Sequence, residues 1–73
     1  MTVLILGGTG EARSLAAALD DTHIAFESSL AGRVRNPRLP VGPVRIGGFG
    51  GAEGLARYLT ERDIRAVVDA THP

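Results

Sequence analysis

The 73-residue chain balances eight basic side chains, all arginine, against eight acidic ones and contains no lysine and no cysteine. Zero net charge removes the electrostatic case for a nucleic-acid partner, and the missing residue types exclude disulfides, thiolate nucleophiles, Schiff-base lysines and the lysine of a phosphate-transferring P-loop. At 44% hydrophobic and 22% charged, the composition is that of a soluble globular domain with a small core, because a chain this short buries only about 60% of its unfolded surface.

No apolar run approaches the roughly 20 residues of a membrane span. Met1 leads directly into a strand, so no leader is expected and the expected location is cytoplasmic. His23 and His72 lie far apart without a carboxylate at ligand spacing, which argues against a metal site.

Val3-Leu4-Ile5-Leu6 is a short, continuous apolar run closed by glycine, the pattern of a strand buried on both faces of a parallel sheet. Gly7-Gly8-Thr9-Gly10-Glu11-Ala12-Arg13 follows at once. Ala12, Leu15, Ala16 and Leu19 then recur at helical spacing, which predicts a helix ending near Leu19. A strand that ends in glycines and opens into a helix presents free backbone N–H groups above the strand end, a seat for phosphate.

Asp20-Asp21-Thr22 breaks the helix, and His23 to Glu27 reads as a second strand, completing a right-handed βαβ unit. From Ser28 to Pro43 the prolines, glycines and arginines interrupt any period, so a long connection is expected there. A loop of more than about 12 residues in a compact domain is usually functional or mobile. Val44 to Ile46 forms a brief third strand before Gly47-Gly48-Phe49-Gly50-Gly51. A second helix carries Ala52, Leu55, Ala56 and Leu59, and Ile64 to Asp69 forms the fourth strand.

At an offset of 40, Gly7, Gly8, Gly10, Ala12, Leu15, Ala16 and Leu19 recur as Gly47, Gly48, Gly50, Ala52, Leu55, Ala56 and Leu59. Duplication and convergent packing at a strand-to-helix turn both account for the echo. Four parallel strands with two helices cannot cover both sheet faces. The predicted fold is therefore a Rossmann-like open parallel α/β sheet, with residues 1–73 as the N-terminal part of a dinucleotide-binding domain whose remainder lies outside this chain.

The dinucleotide fingerprint wants G-x-G-x-x-G/A. A register from Gly7 puts Thr9 in the second place and Ala12 in the third, whereas a register from Gly8 meets Gly10 and then Arg13. A tight turn that binds nothing is the bland alternative. Downstream, Glu27 at the expected strand end favours the ribose hydroxyls of NAD, whereas Ser28, Ser29 and Arg33 suit a 2′-phosphate. Surface pairing of Glu27 with Arg33 is a third possibility. Asp69 and His72 close the fourth strand beside the ligand crevice, either as weak catalytic candidates or as a local cap and an exposed side chain.

Taken together, Leu4 to Arg13, Ser29-Leu30-Ala31-Gly32-Arg33, Gly47 to Gly51 and Val68-Asp69-Ala70-Thr71-His72-Pro73 closely resemble the precorrin-6A reductases of cobalamin biosynthesis. The resemblance runs the length of the chain. It implies an NADPH-dependent oxidoreductase that reduces a tetrapyrrole macrocycle, precorrin-6A or its cobalt-containing equivalent, between two Rossmann-like halves. By that resemblance Gly7, Gly8, Thr9, Gly10 and Glu11 hold the NADPH pyrophosphate, Ser29 and Arg33 the 2′-phosphate side, and Gly48 and Phe49 run beside the cofactor. Thr71, with Asp69 and His72, lines the nicotinamide and substrate end. A non-catalytic dinucleotide-binding module is the alternative, and a sugar-nucleotide epimerase or dehydratase with a Gly-Gly-Thr-Gly turn ranks below it.

Overall fold

A computed structural model describes residues 1–32 and 38–71. The elements run β1 (Thr2–Leu6), α1 (Gly10–Asp20), β2 (Ala25–Leu30), β3 (Val44–Ile46), α2 (Gly51–Glu61) and β4 (Ile64–Asp69). All strand pairs are parallel and the sheet order is β3-β2-β1-β4. This is the α/β Rossmann-like half-domain expected from the sequence, with two helices and four strands.

β1 sits inside the sheet, and Val3, Leu4 and Ile5 are all buried, which is why a run without alternation was required there. Val3 and Ile5 point to the face covered by α1, where they cluster with Ala12, Ala16 and Phe26. Leu4 and its register partner Glu27 point to the opposite face, which α2 covers through Tyr58. The chain leaves β1 toward β2 on one side and returns to β4 on the other. The carboxyl end of β1 is therefore the topological switch point of the sheet.

β2 is displaced from the expected His23–Glu27. Residues 21–23 complete the turn after α1, where the Thr22 hydroxyl donates to the Leu19 carbonyl at 2.6 Å and accepts from the Ile24 N–H at 3.1 Å. Ser28 and Ser29, which by propensity belong in a loop, pair with Ile5 and Leu6 on one side and with Val44 and Arg45 on the other. Central position in the sheet outweighs weak strand propensity.

The two glycine turns look alike in sequence but differ in structure. α1 starts at Gly10 behind Thr9, an extended N-cap whose hydroxyl accepts from the Ala12 N–H. α2 starts one position later, at Gly51, behind Gly50 in the left-handed region and without a side-chain cap. Leu55, Tyr58 and Leu59 are half-buried against the sheet, whereas Ala52 and Ala56, whose α1 counterparts lie in the core, are exposed.

Candidate functional site

Because every strand is parallel, the four carboxyl ends deliver their loops to one edge. The glycine turn after β1, Ser29 and Leu30 of β2, the Gly47–Phe49 turn after β3 and the Ala70–Thr71 segment after β4 meet there. Hydrogen bonds fasten them together. The Gly7 N–H donates to the Ser29 carbonyl at 2.9 Å, the Gly47 N–H to the Leu30 carbonyl at 2.8 Å, and the Ala70 N–H to the Leu6 carbonyl at 2.9 Å.

Within the first turn the Gly7 register is the one the packing follows. A Cβ on Gly7 would stand 3.3 Å from the Ala12 Cβ, so the start of α1 is pressed onto the strand end. Ala12, in the fingerprint's third place, is only 2% exposed. Thr9 occupies the second place and is buried; its hydroxyl donates to the Ala70 carbonyl at 2.5 Å and accepts from the Ala12 N–H at 3.1 Å. That side chain ties the β1 turn to the β4 loop, so what Thr9 offers a ligand is backbone. Gly8 adopts φ +106°, and no heavy atom lies within 4 Å of where its Cβ would be. The strained position and the open space above it leave room for a ligand to approach the backbone.

Gly10 and Glu11 form the exposed first turn of α1, and the Arg13 guanidinium reaches back to within 3.6 Å of a Cβ built on Gly10. The helix N-terminus and an arginine therefore flank the same few backbone N–H groups.

Glu27 stands apart from this edge. It lies in the middle of β2, three residues before the strand's end, and is 8% exposed. Its Oε1 accepts from the Tyr58 hydroxyl at 2.7 Å, and its Oε2 lies 3.7 Å from the Arg62 guanidinium. Burial, then the bond to Glu27, holds the Tyr58 hydroxyl above its ordinary range. The acid expected to choose the cofactor at the end of β2 is a brace between sheet and α2. The strand's true end, Ser29-Leu30, carries no acid.

Ser29 is reached instead by Arg45, a residue the sequence reading passed over. Arg45 Nη1 donates to Ser29 Oγ at 3.2 Å and to the Gly47 carbonyl at 2.9 Å, while Nη2 donates to the Gly48 carbonyl at 3.1 Å. Its guanidinium lies 4.0 Å from the Phe49 ring centroid and 5.0 Å from that of Tyr58, and the two rings meet edge to face at 5.1 Å. Phe49 is thus half-buried in a cation–π stack, with the Gly48 backbone exposed beside it. The available signal was an arginine at the centre of a three-residue strand, two positions before a glycine pair and four before a phenylalanine.

At the β4 end, Asp69 Oδ1 accepts from the Thr71 hydroxyl at 2.6 Å and from its N–H at 3.2 Å. These bonds hold the Asp69 carboxyl below its ordinary range. Asp69 therefore closes a local turn through Thr71. Thr71 lies exposed in that turn. Arg33 and His72 lie outside the described residues. Among the described residues no cluster of three or more metal-ligating side chains occurs, and no helix is long and apolar enough to cross a membrane.

A family model described as precorrin-6x reductase CbiJ/CobK matches residues 2–73. The chain is 68% identical over 72 residues to the precorrin-6A reductase of Rhodococcus erythropolis, which covers 97% of this chain and 29% of that protein. It is 66% identical over 71 residues to a precorrin-6A reductase of Mycobacterium tuberculosis, with the same 97% and 29% coverage. Similarity extends to the cobalt-precorrin-6A reductase of Salmonella typhimurium, at 35% identity over 83 residues. Among solved structures, CobK precorrin-6A reductase superposes with a TM-score of 0.94 at 48% identity, covering 100% of this chain and 29% of that one. The chain therefore spans less than a third of the length of the relatives it matches.

Proposed function

The chain belongs to the precorrin-6x reductase CbiJ/CobK family, and from that membership we propose that it forms the cofactor-binding front of an NADPH-dependent precorrin-6A reductase in cobalamin biosynthesis. When bound, NADPH supplies the hydride, and the protein's part is position and electrostatics.

The observation that carries this reading is the open glycine turn at the switch point with the acid of β2 withdrawn from it. Gly8, Gly10 and Glu11 offer backbone N–H groups at the start of α1 to a pyrophosphate, with the Arg13 guanidinium close by, while Gly7, its own N–H bonded to the Ser29 carbonyl, lets α1 pack onto the strand end. A 2′-phosphate suits a strand end made of Ser29 and Leu30, because Glu27 is engaged with Tyr58 and Arg62 and presents no carboxylate to repel it. Arg33 completes that side in this proposal, Gly48 and Phe49 flank the cofactor, and Thr71 with His72 lines the nicotinamide and tetrapyrrole end. Asp69 keeps that last turn in shape through its bonds to Thr71. The remaining two-thirds of the protein would pair with β4, supply the opposite wall of the cleft and work in the cytoplasm.

Incubating the full-length protein with precorrin-6A and either NADPH or NADH tests the reading. Substrate-dependent NADPH oxidation with little from NADH is expected. Binding of NADPH without oxidation would leave the dinucleotide-binding module in its place, and a preference for NADH would overturn the 2′-phosphate assignment.

A further inference from the structure

Arg45 is the most constrained charged side chain in the described structure. A guanidinium carries five N–H donors in a rigid fork. Here the fork reaches three separate acceptors: Ser29 Oγ at 3.2 Å on β2, and the Gly47 and Gly48 carbonyls at 2.9 and 3.1 Å in the turn after β3. Its plane is held over Phe49 at 4.0 Å and reaches Tyr58 at 5.0 Å. Ser29 and Arg45 are register partners in the parallel β2/β3 pair, so the contact is set by the sheet and not by a flexible loop.

The bond fixes the polarity of Ser29. A serine oxygen that accepts from a guanidinium directs its own proton elsewhere, and no acceptor among the described residues takes that proton. Ser29 is 6% exposed, which makes an unused donor there costly unless something arrives to accept it. It sits one residue before the carboxyl end of β2, where an open α/β sheet meets the adenosine ribose of a dinucleotide.

We propose that Arg45 is the positioning residue of the adenosine end of the cofactor site: it presents the Ser29 hydroxyl as a donor to an anionic ribose 2′-phosphate and locks Ser29 to the Gly47–Phe49 turn. The inference rests on the NADPH reading above and adds a residue to it. Lysine does not substitute, because its one nitrogen cannot stand both where Nη1 serves Ser29 and Gly47 and where Nη2 serves Gly48, nor stack a planar group on Phe49.

Calorimetric titration of the full-length protein with NADPH and NADH tests this on wild type, Arg45→Met, Arg45→Lys, Ser29→Ala and the Arg45→Met/Ser29→Ala pair. Methionine keeps an apolar stem over Phe49 and removes the fork. Arg45→Met and Arg45→Lys are each expected to weaken NADPH roughly tenfold and NADH by about twofold or less, the scale of one charge-assisted hydrogen bond. The double variant is expected to lose no more than about twofold beyond Arg45→Met alone, because both substitutions disable one donor. A merely structural arginine would instead lower the affinity for both nucleotides equally, or give additive losses with Ser29→Ala, and either result overturns the inference. Should Arg45→Met fail to fold, as read by its thermal melt, Arg45→Lys carries the same expectation. A wild-type protein that binds no NADPH defeats the functional reading itself, whereas NADPH binding indifferent to Arg45 defeats only this inference.

Discussion

Glu27 looks like a cofactor selector by its distance from the glycine turn, yet it is three residues short of the strand end and faces α2. Its partner Tyr58 has a hydroxyl held above its ordinary range by burial and by Glu27. A raised folded-state value means that the stabilisation is fully present below the unfolded value near pH 10 and is lost as pH rises through the folded one. Wild-type protein is therefore expected to lose stability above about pH 10, and Tyr58→Phe to lack that component when denaturant midpoints are compared across pH. Gly8 makes the opposite kind of demand, on backbone alone. At φ +106° an alanine costs about 1–3 kcal/mol, so Gly8→Ala is expected to lower the melting temperature and weaken NADPH together; an unchanged melt would show that the turn relaxes. Ser28 is 1% exposed, and its hydroxyl has no partner among the described residues. Ser28→Ala is expected to leave stability unchanged or raise it by up to about 1 kcal/mol, and a larger loss in chemical denaturation would reveal a partner.

At the scale of elements, α2 is where two general rules oppose each other. Glycine inside a helix is worth about 1 kcal/mol less than alanine, so Gly54→Ala ought to stabilise an ordinary helix. Here a Cβ on Gly54 would run into the Phe49 carbonyl, which the left-handed Gly50 and Gly51 fold back over the first turn of the helix. Gly54→Ala is therefore expected to destabilise, and a higher denaturation midpoint would contradict the geometry. The same tight turn sets Phe49 under Arg45, so the substitution is also expected to loosen the contact of Arg45 with Ser29. In α1 the matching position is Ser14, exposed and unconstrained. The repeated glycine pattern thus serves two different turns. The first is capped by Thr9 and open at Gly8; the second is wound on left-handed glycines and pinned by arginine.

Across the described residues as a whole, the two edges of the sheet differ. β3 closes one edge as a strand of three residues, while β4 leaves the other edge as six residues with Val67 and Val68 44% and 38% exposed. An unpaired parallel strand with apolar side chains exposed on both faces is a docking edge or an aggregation edge. The isolated 73 residues are expected to associate or to melt without cooperativity, read by sedimentation velocity and calorimetry. A cooperative, monomeric melt would show that β4 needs no partner. In the full-length protein the amides of β4, like those of β1, are expected to exchange slowly with solvent.

Strand β1, the glycine turn, α1 and β4 were legible in the residues because each rests on a local rule: a continuous apolar run, glycine at a strand end, and a stripe at helical spacing. The set of motifs that carries the family resemblance was legible for the same reason, as it consists of short segments in a given order. The end of β2, the roles of Glu27 and Arg45, and the facing of α2 were not. Each depends on which strand lies beside which. Ser28 and Ser29 become strand only because β1 and β3 flank them. Glu27 turns away from the site only because the pleat alternates from Phe26, which the core claims. Arg45 meets Ser29 only through the β2/β3 register, across 16 residues of chain. Sequence by itself determined the glycine turn that opens α1; the parallel register, which propensity does not encode, decided what stands beside it.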